Sequence, residues 1–486
     1  MKKLLCKTDF WACLLLVVAA FVLRIWHIGD ADIGNDECFS LYFAQFSSGD
    51  IIQVLCRGDN PPLWELLLHG WVKVFGFGLL SMRVLSLLFS VGTVIPVYLL
   101  GKRLAGKGVA MVAAGLYTLS TFSIFLAHDG RVYSLVGMLA AWSLYLFLRL
   151  TEQPRGWRWA LWVAVNLLIM YSHYLALWVV AVEAAIWLLT PSVRKSMGKG
   201  MLWSLGALVV LYLPIVPTLA RRFADSGLHG TWIDRCHGFN DLYGMLCCFT
   251  NAPVTTVLAI VLMVAAVVVC GVRVARRQFT AGPLMWVTLM WVVPLVVSFG
   301  LSFLVGFFLN RYFYFLLPFY LLSLAAYVQY LIPKRKVPAI VVAVLLVAAM
   351  AVSVKPDSTR LRYAGWKGDV NAVAKRMNEL KGAEGKAIIA PDWIDKQLVF
   401  YLDDSHQAFQ TQGTLDEPVF RNYLEGIGYR YESDFRECDY TGCPREVIVH
   451  DNGHDLSAIL DHLTANGYHQ TQQEPFQQMT LTVLER

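Results

Sequence analysis

Residues 10–37 read FWACLLLVVAAFVLRIWHIGDADIGNDE, an apolar run closed by Arg24 and Trp26 and followed by an acidic pair, Asp36 and Glu37. The apolar part has the length a helix needs to cross about 30 Å of hydrocarbon. Lys2 and Lys3 precede it as they would in a signal peptide, but Arg24 and Trp26 stand where a small-residue cleavage site would be. The segment is therefore expected to be a retained anchor.

The same kind of block recurs along the chain. Spans are expected near 10–28, 79–100, 109–127, 132–148, 158–171, 174–190, 201–219, 253–271, 283–303, 312–332 and 337–354, eleven in all. The 486 residues are 57% hydrophobic and only 16% charged, more apolar surface than one soluble core can use. Basic residues mark every second loop: Lys2, Lys3 and Lys7; Lys102, Arg103 and Lys107; Arg149, Arg155 and Arg158; Arg194, Lys195 and Lys199; Arg273, Arg276 and Arg277; Lys334, Arg335 and Lys336. Lys and Arg are retained on the cytoplasmic side, so the N-terminus is placed in the cytoplasm and the alternate loops and the C-terminal tail outside it, in a multi-pass plasma (inner) membrane protein.

Residues 1–354 hold 27 Lys and Arg against 14 Asp and Glu, and residues 355–486 hold 14 against 21. The net charge of +6 thus reflects topology, and nucleic acid is not implied. The ten cysteines show no metal spacing. Cys38 with Cys56, and Cys438 with Cys443, fall in outward segments and are either disulfides or free thiols.

Two parts follow, 1–354 in the membrane and 355–486 outside, joined by a hinge at Pro356, Asp357, Ser358 and Thr359. In the tail, 367–381 is amphipathic, Ala387 to Ala390 reads as a strand and 393–402 as helical. Val447 to Val449 reads as a second strand, 455–465 as a helix and 476–484 as a last strand. This predicts a small α/β domain. It has no phosphate-cradling glycine loop and no nucleophile elbow, which suits binding or scaffolding.

The outward stretch 29–80 is too long for a simple connector and carries aromatic and apolar runs expected to form short helices along the interface. Within it Asp36 and Glu37 are adjacent, and Asp59 precedes Asn60, Pro61 and Pro62. Carboxylates beside a bilayer can hold a divalent cation or accept a proton, although spacing alone favours solvated loop charges. Further ionisable residues fall at membrane ends on the same side: Arg83, then His128, Asp129 and Arg131 in one turn, His173 in another, and Arg311. Such groups are costly unless paired or functional. An acidic pair with three arginines and two histidines suits a divalent-metal or phosphate-ester site, and Arg offers a planar fork for phosphate oxygens. Glu183, mid-span, is left with either a structural or a functional partner.

With those residues in hand, the chain resembles the family 39, C-type-fold glycosyltransferases, which include the protein O-mannosyltransferases and the lipid A aminoarabinose transferase. The likeness rests on Asn35-Asp36-Glu37, on Asn60-Pro61-Pro62-Leu63 with Phe75-Gly76, on Arg83 with Ser86, on Arg131-x-Tyr133, and on Arg311-Tyr312 with Pro318. It implies an α-helical membrane domain of the C-type fold and a polyprenyl-phosphate-linked sugar donor. It also implies that Asp36 is the catalytic acid residue, as general base or in a metal-assisted site, with Glu37 beside it. Arg131 and Tyr133, with Arg83 or Arg311, are implied at the donor phosphate; Asp36, Asp59, His128 and His173 are the candidate ligands of a divalent metal. One departure matters: relatives often carry His or Lys before the Pro-Pro pair, where this chain has Asn60, which removes a charged contact and leaves Asp59 as the offset if a cation is bound. The tail is loosely similar to domains appended in relatives, from Trp366 and Lys367.

The expected activity is inverting transfer of a sugar at the outer leaflet to a glycan, lipid or protein acceptor, with membrane lipids as the other partners. A transporter or flippase would favour broken helices in two repeated halves, and no repeat is present. A non-catalytic envelope assembly protein that uses its tail to recruit a partner is the third reading.

Overall fold

The computed structural model describes residues 7–56, 60–278, 282–332, 336–354, 369–402, 406, 409 and 417–486. Lys2, Lys3, Asp59, Lys334, Arg335, the hinge at Pro356 to Thr359, and Trp366 with Lys367 lie outside the described residues. The chain forms two compact units. One comprises the segment up to Ile28, Leu55–Trp64 and the membrane helices from Arg83; the other comprises Gly29–Val54, Glu65–Met82 and the tail. The units thus divide the chain differently from 1–354 and 355–486, because most of the stretch 29–80 folds with the tail.

In the first unit every expected span is occupied by helix. These are α1 (Lys7–Ile25), α5 (Leu79–Gly92) with α6 (Val94–Ala105), α7 (Lys107–Thr118) with α8 (Thr121–Ala127), α9 (Tyr133–Glu152) and α10 (Gly156–Met170). They continue as α11 (Leu177–Leu189), α12 (Pro191–Tyr212), α13 (Val216–His229), α14 (Phe239–Thr250), α15 (Pro253–Ala275), α16 (Pro283–Ser302), α17 (Leu317–Leu331) and α18 (Lys336–Val352). Among the described residues seven helices are long and apolar enough to cross a membrane, or eight if the bent pair α7 and α8 is one span. Gly156–Met170, Tyr174–Leu189 and Lys336–Val352 are apolar but shorter. The protein is an integral membrane protein.

Burial separates the helices by role. Only 11% of the apolar window of Pro253–Ala275 is covered by protein, whereas Asn310–Leu331 is 83% and Tyr133–Glu152 78% buried. The uncovered apolar faces are those that lipid solvates, and α9 and α17 form the interior. There Glu183 finds the partners that the sequence left open: Ser143 Oγ, a single donor, lies 3.0 Å from each of its oxygens, and Trp162 Nε1 donates to Oε2 at 2.8 Å.

The stretch 109–127, expected to be one span, bends by 56° between α7 and α8. Ser120 caps α8 by accepting from Ser123 N at 3.2 Å. The break leaves carbonyls at the end of α7 without their full helical bonding, and Arg24 donates to two of them, of which Tyr117 O also accepts from Ser120 N at 3.3 Å. Its guanidinium donates to Tyr117 O (3.1 Å), Thr118 O (3.3 Å) and Ala20 O (3.2 Å), and to Ser90 Oγ (2.8 Å) and Ser123 Oγ (2.7 Å). Asn251 closes the rest, donating to Leu119 O at 2.8 Å and accepting from Thr121 N at 2.9 Å. Irregular backbone at membrane depth persists only when it is satisfied in this way.

The second unit holds α2 (Asn35–Phe43), α3 (Ser48–Leu55), most of α4 (Leu63–Phe75) and the tail. The tail's sheet has strands β1 (Lys386–Ala390), β2 (Tyr429–Tyr431), β3 (Arg445–Asp451), β4 (His469–Pro475) and β5 (Met479–Glu485) in the order β2-β1-β3-β5-β4. β1 pairs parallel with β2 and β3, while β5 is antiparallel to β3 and β4. The helix Val370–Lys381 leads into β1, and the helices Asp395–Phe400, Glu417–Gly426 and Ser457–Ala465 lie between strands. A core of Ile388, Ile448, Ile459, Leu463, Tyr468 and Leu484 holds one part of this layer together. Cys38, Cys56, Cys438 and Cys443 are free thiols, so neither disulfide expected as an alternative forms. Cys438 and Cys443 instead donate to the carbonyls of Asp434 and Arg445.

Candidate active site

In the membrane unit, Arg131 sits in the turn between α8 and α9. Backbone hydrogen bonds fix that turn: Arg131 N donates to Asp129 O at 2.7 Å, Trp64 Nε1 to Gly130 O at 3.0 Å, Ser86 Oγ to Arg131 O at 3.1 Å and Ser134 Oγ to Leu126 O at 3.0 Å. Asp129 is fully buried. Ser86, quoted in the motif only as a companion of Arg83, thus braces the carbonyl of Arg131 itself.

A second turn brings His173 to the same place. Its ring centroid lies 6.0 Å from that of Tyr133 and 5.3 Å from that of Tyr312. The Arg311 guanidinium is 5.9 Å from the ring centres of Tyr133, Tyr312 and Trp232, cation–π distances. Burial and the neighbouring guanidiniums of Arg131 and Arg311 push the His173 pKa down to about 4. The imidazole is therefore neutral at pH 7, and its Nδ1 is shielded from water with no hydrogen-bond partner among the described residues. Three of the expected phosphate residues, Arg131, Arg311 and Tyr133, converge here with His173.

Trp232 was not foreseen, because no charge or motif marks it. It is 69% exposed, in the segment that follows α13. That segment lies so close to Gly306 that a side chain there would collide with the Ile233 carbonyl. Thr231 Oγ1 donates to Gly306 O, and Cys236 N to Ser302 O at 3.2 Å. Glycine at 306 thus lets the Trp232 segment approach the strand of chain that leads into Arg311.

Arg83 and His128 belong to different surroundings. Arg83 is fully buried and donates to Ile28 O at 3.0 Å, the contact of a brace at the end of α1. His128 Nε2 lies 2.7 Å from Arg24 O. A carbonyl can only accept, so that nitrogen carries a proton and cannot ligate a metal.

In the second unit, Asp36 and Glu37 occupy the first turn of α2. Glu37 is fully buried and its Oε2 accepts from Gly34 N at 2.9 Å, capping the helix. Asp36 is half-buried. The adjacent acids have therefore separated in role: Glu37 closes the helix end, and Asp36 is the partly accessible carboxylate.

The candidate metal ligands that are described do not come together. Among the described residues no three of His, Cys, Asp and Glu gather as ligands. His173 stands beside two guanidiniums whose charge repels a cation, and Asp59 lies outside the described residues. Two arginines, aromatic faces and a neutral imidazole are groups whose chemistry suits an anion.

The segment 59–220 matches the family described as dolichyl-phosphate-mannose-protein mannosyltransferase. No curated protein matches the sequence. Among solved structures, ArnT from Cupriavidus metallidurans superposes with a TM-score of 0.61 at 13% identity, over 98% of both chains. The chain has the C-type glycosyltransferase fold. The same ArnT bound to undecaprenyl phosphate gives 0.59, also at 13% identity and 98% of both chains. The oligosaccharyltransferase of Archaeoglobus fulgidus, solved with zinc and sulfate, gives 0.55 at 12% identity, over 90% of this chain and 68% of that one. The fold together with the family match over 59–220 makes this protein a membrane glycosyltransferase, as the motifs led one to expect.

Proposed function

We propose that the protein transfers a sugar from a polyprenyl-phosphate donor to an acceptor hydroxyl at the outer face of the inner membrane, with its N-terminus in the cytoplasm and its tail outside. The observation that carries this reading is the gathering of Arg131, Arg311 and Tyr133 around an imidazole kept neutral beside them, with Trp232 facing Arg311. Such a set binds one phosphodiester and tolerates a sugar next to it, because a sugar ring packs well on indole and phenol faces. The matches to a family of lipid-phosphate-sugar enzymes, and to an ArnT that binds undecaprenyl phosphate, support the same donor class.

In the reaction, the acceptor oxygen forms a bond to the anomeric carbon from the face opposite the phosphate, and its proton passes to the Asp36 carboxylate. The bond from that carbon to the phosphate oxygen breaks, and the electron pair leaves with the lipid phosphate. Arg131 and Arg311 stabilise the charge that develops on it, the kind of preorganised electrostatic help that contributes most to such steps. Arg83 acts as a brace, and Glu37 holds the helix on which Asp36 stands.

The test is Asp36→Asn in purified protein. Asn preserves size and most hydrogen bonding, so yield and melting should equal wild type while release of lipid phosphate from the donor disappears. Near-normal turnover in this variant overturns the role of Asp36.

A further inference from the structure

Side chains of the tail reach the segment that precedes Asp36 in the same unit. Ile33 is fully buried in a stretch with no regular structure. A buried peptide group must find partners, and both of Ile33's come from the tail. Its N–H donates to the Tyr401 hydroxyl at 2.8 Å, and its carbonyl accepts from Gln397 Nε2 at 3.0 Å. Beside it, Asp32 Oδ2 accepts from Asn371 N at 2.9 Å, in the first turn of the helix Val370–Lys381. That amide is one of the donors a helix start leaves without an internal partner.

The helix Asp395–Phe400, which carries Gln397 and runs into Tyr401, is itself anchored to the sheet. Buried Asp395 accepts from Tyr431 on β2 at 3.0 Å. Further along α2, Lys396 Nζ lies 5.5 Å above the Tyr42 ring, and Phe409 packs on Tyr42 at 5.4 Å while its carbonyl accepts from Gln45 at 3.3 Å. On another side α4 supports the same helix: Ser40 Oγ donates to Glu65 at 2.8 Å, and His69 Nδ1 donates to Ala44 O at 2.8 Å.

We propose that the tail is part of the catalytic scaffold, with Gln397 and Tyr401 as positioning residues that set the Asp36 helix through the backbone of Ile33. The inference rests on the reading of Asp36 given above. Each polar group of one residue is held by a different tail side chain, so the chain entering α2 can neither slide nor rotate without breaking a buried hydrogen bond. Tyr401 and Gln397 therefore act on the placement of Asp36 and touch no substrate.

The test uses the full chain in lipid nanodiscs, with Gln397→Met, Tyr401→Phe and the double variant, which keep side-chain length and ring packing but remove the two contacts. Arg376→Ala, which breaks the tail's ion pair with Glu474, is the control for general tail damage. Undecaprenyl-phosphate mannose is the donor, and membrane extract supplies the acceptor. The double variant should lose on the order of a hundredfold in kcat, as misplaced catalytic groups do, with the donor KM unchanged. Backbone amides from Ile33 to Cys38 should exchange hydrogen faster, and Arg376→Ala should leave both readouts at wild type. Wild-type kcat in the double variant while Asp36→Asn is inactive overturns this inference alone. Unchanged exchange at those amides also overturns it, as does a kcat loss equally large in Arg376→Ala. Full activity in Asp36→Asn overturns it together with the function on which it rests.

Discussion

Two arginine sites in the membrane unit are built in opposite ways. Around Arg24 the acceptors are two serine hydroxyls and three carbonyl oxygens, all neutral and all belonging to helices that the guanidinium ties together. Beside Arg311 stand the rings of Tyr133 and Tyr312, and Arg131 and Arg311 both lie near an imidazole that burial first, and then these two cations, keep unprotonated. The first arrangement spends a charge on joining backbone; the second sets two cations beside a neutral ring. Burial does not distinguish them, since Arg24 and Arg131 are both buried. What separates Arg24 from the arginines proposed to hold the donor phosphate is the chemistry of the groups beside them, hydroxyls and carbonyls for the one and rings for the other.

The largest effect should come from Arg24→Met. It removes five donor contacts and leaves two hydroxyls and three carbonyls to find new partners, a loss on the order of 3–5 kcal/mol for a buried network. Yield and melting temperature should fall sharply, while the protein that does fold keeps wild-type donor KM. A changed KM at normal yield would erase the contrast between the two sites. Arg131→Ala is the mirror image: yield near wild type, and kcat/KM for the lipid-linked donor lowered by about 1.5–3 kcal/mol, the value of a charge-assisted contact. Altered insertion with normal donor use would move Arg131 to the side of Arg24.

A smaller, pH-dependent effect belongs to His173. With its pKa at about 4 in the folded protein against roughly 6.5 when unfolded, its contribution to stability is complete above about pH 6.5. It declines as pH falls toward 4, because the unfolded chain takes up the proton first. A bound phosphodiester adds negative charge beside the ring and raises the pKa, so binding takes up a proton. Donor affinity should increase as pH falls from about 6.5 toward 4, roughly tenfold for each unit of pKa recovered. Titration calorimetry in buffers of different ionisation enthalpy measures that uptake, and His173→Gln should abolish it. The smallest change is expected for Glu183→Gln, whose partners Ser143 and Trp162 remain in place. Stability should shift by no more than about 1 kcal/mol, with donor turnover unaltered; a lost activity there would reveal a functional carboxylate inside the bundle.

The positions of the membrane helices were legible because apolar blocks of bilayer length are the strongest pattern a sequence carries. Arg131, His173 and Arg311 were legible for the same reason, as charges at the ends of such blocks. The bend after Thr118 was not: its cause is Ser120 capping a new helix and Arg24 and Asn251 covering the break, contacts that cross long sequence distances. In the tail, β1, β3 and β5 were visible as buried apolar runs. β4 reads HQTQQEP and lies largely exposed at the sheet's edge, and β2 has three residues, so neither shows an apolar pattern. Trp232, Gln397 and Tyr401 carry no signal in the sequence, since each acts through a partner brought near by folding alone.

The arginine at the end of α1 also sets an order of assembly. Lys7–Ile25 leaves the ribosome before Ser90, Tyr117, Thr118 and Ser123 have been synthesised, so its guanidinium first enters the lipid without the acceptors that later surround it. Until α5, α7 and α8 arrive, that side chain must reach toward the headgroups, as long basic side chains at helix ends do. A chain truncated before Ser123 lacks the hydroxyl that Arg24 meets at 2.7 Å in the folded protein, and it is expected to be cleared by quality-control proteases faster than the full chain.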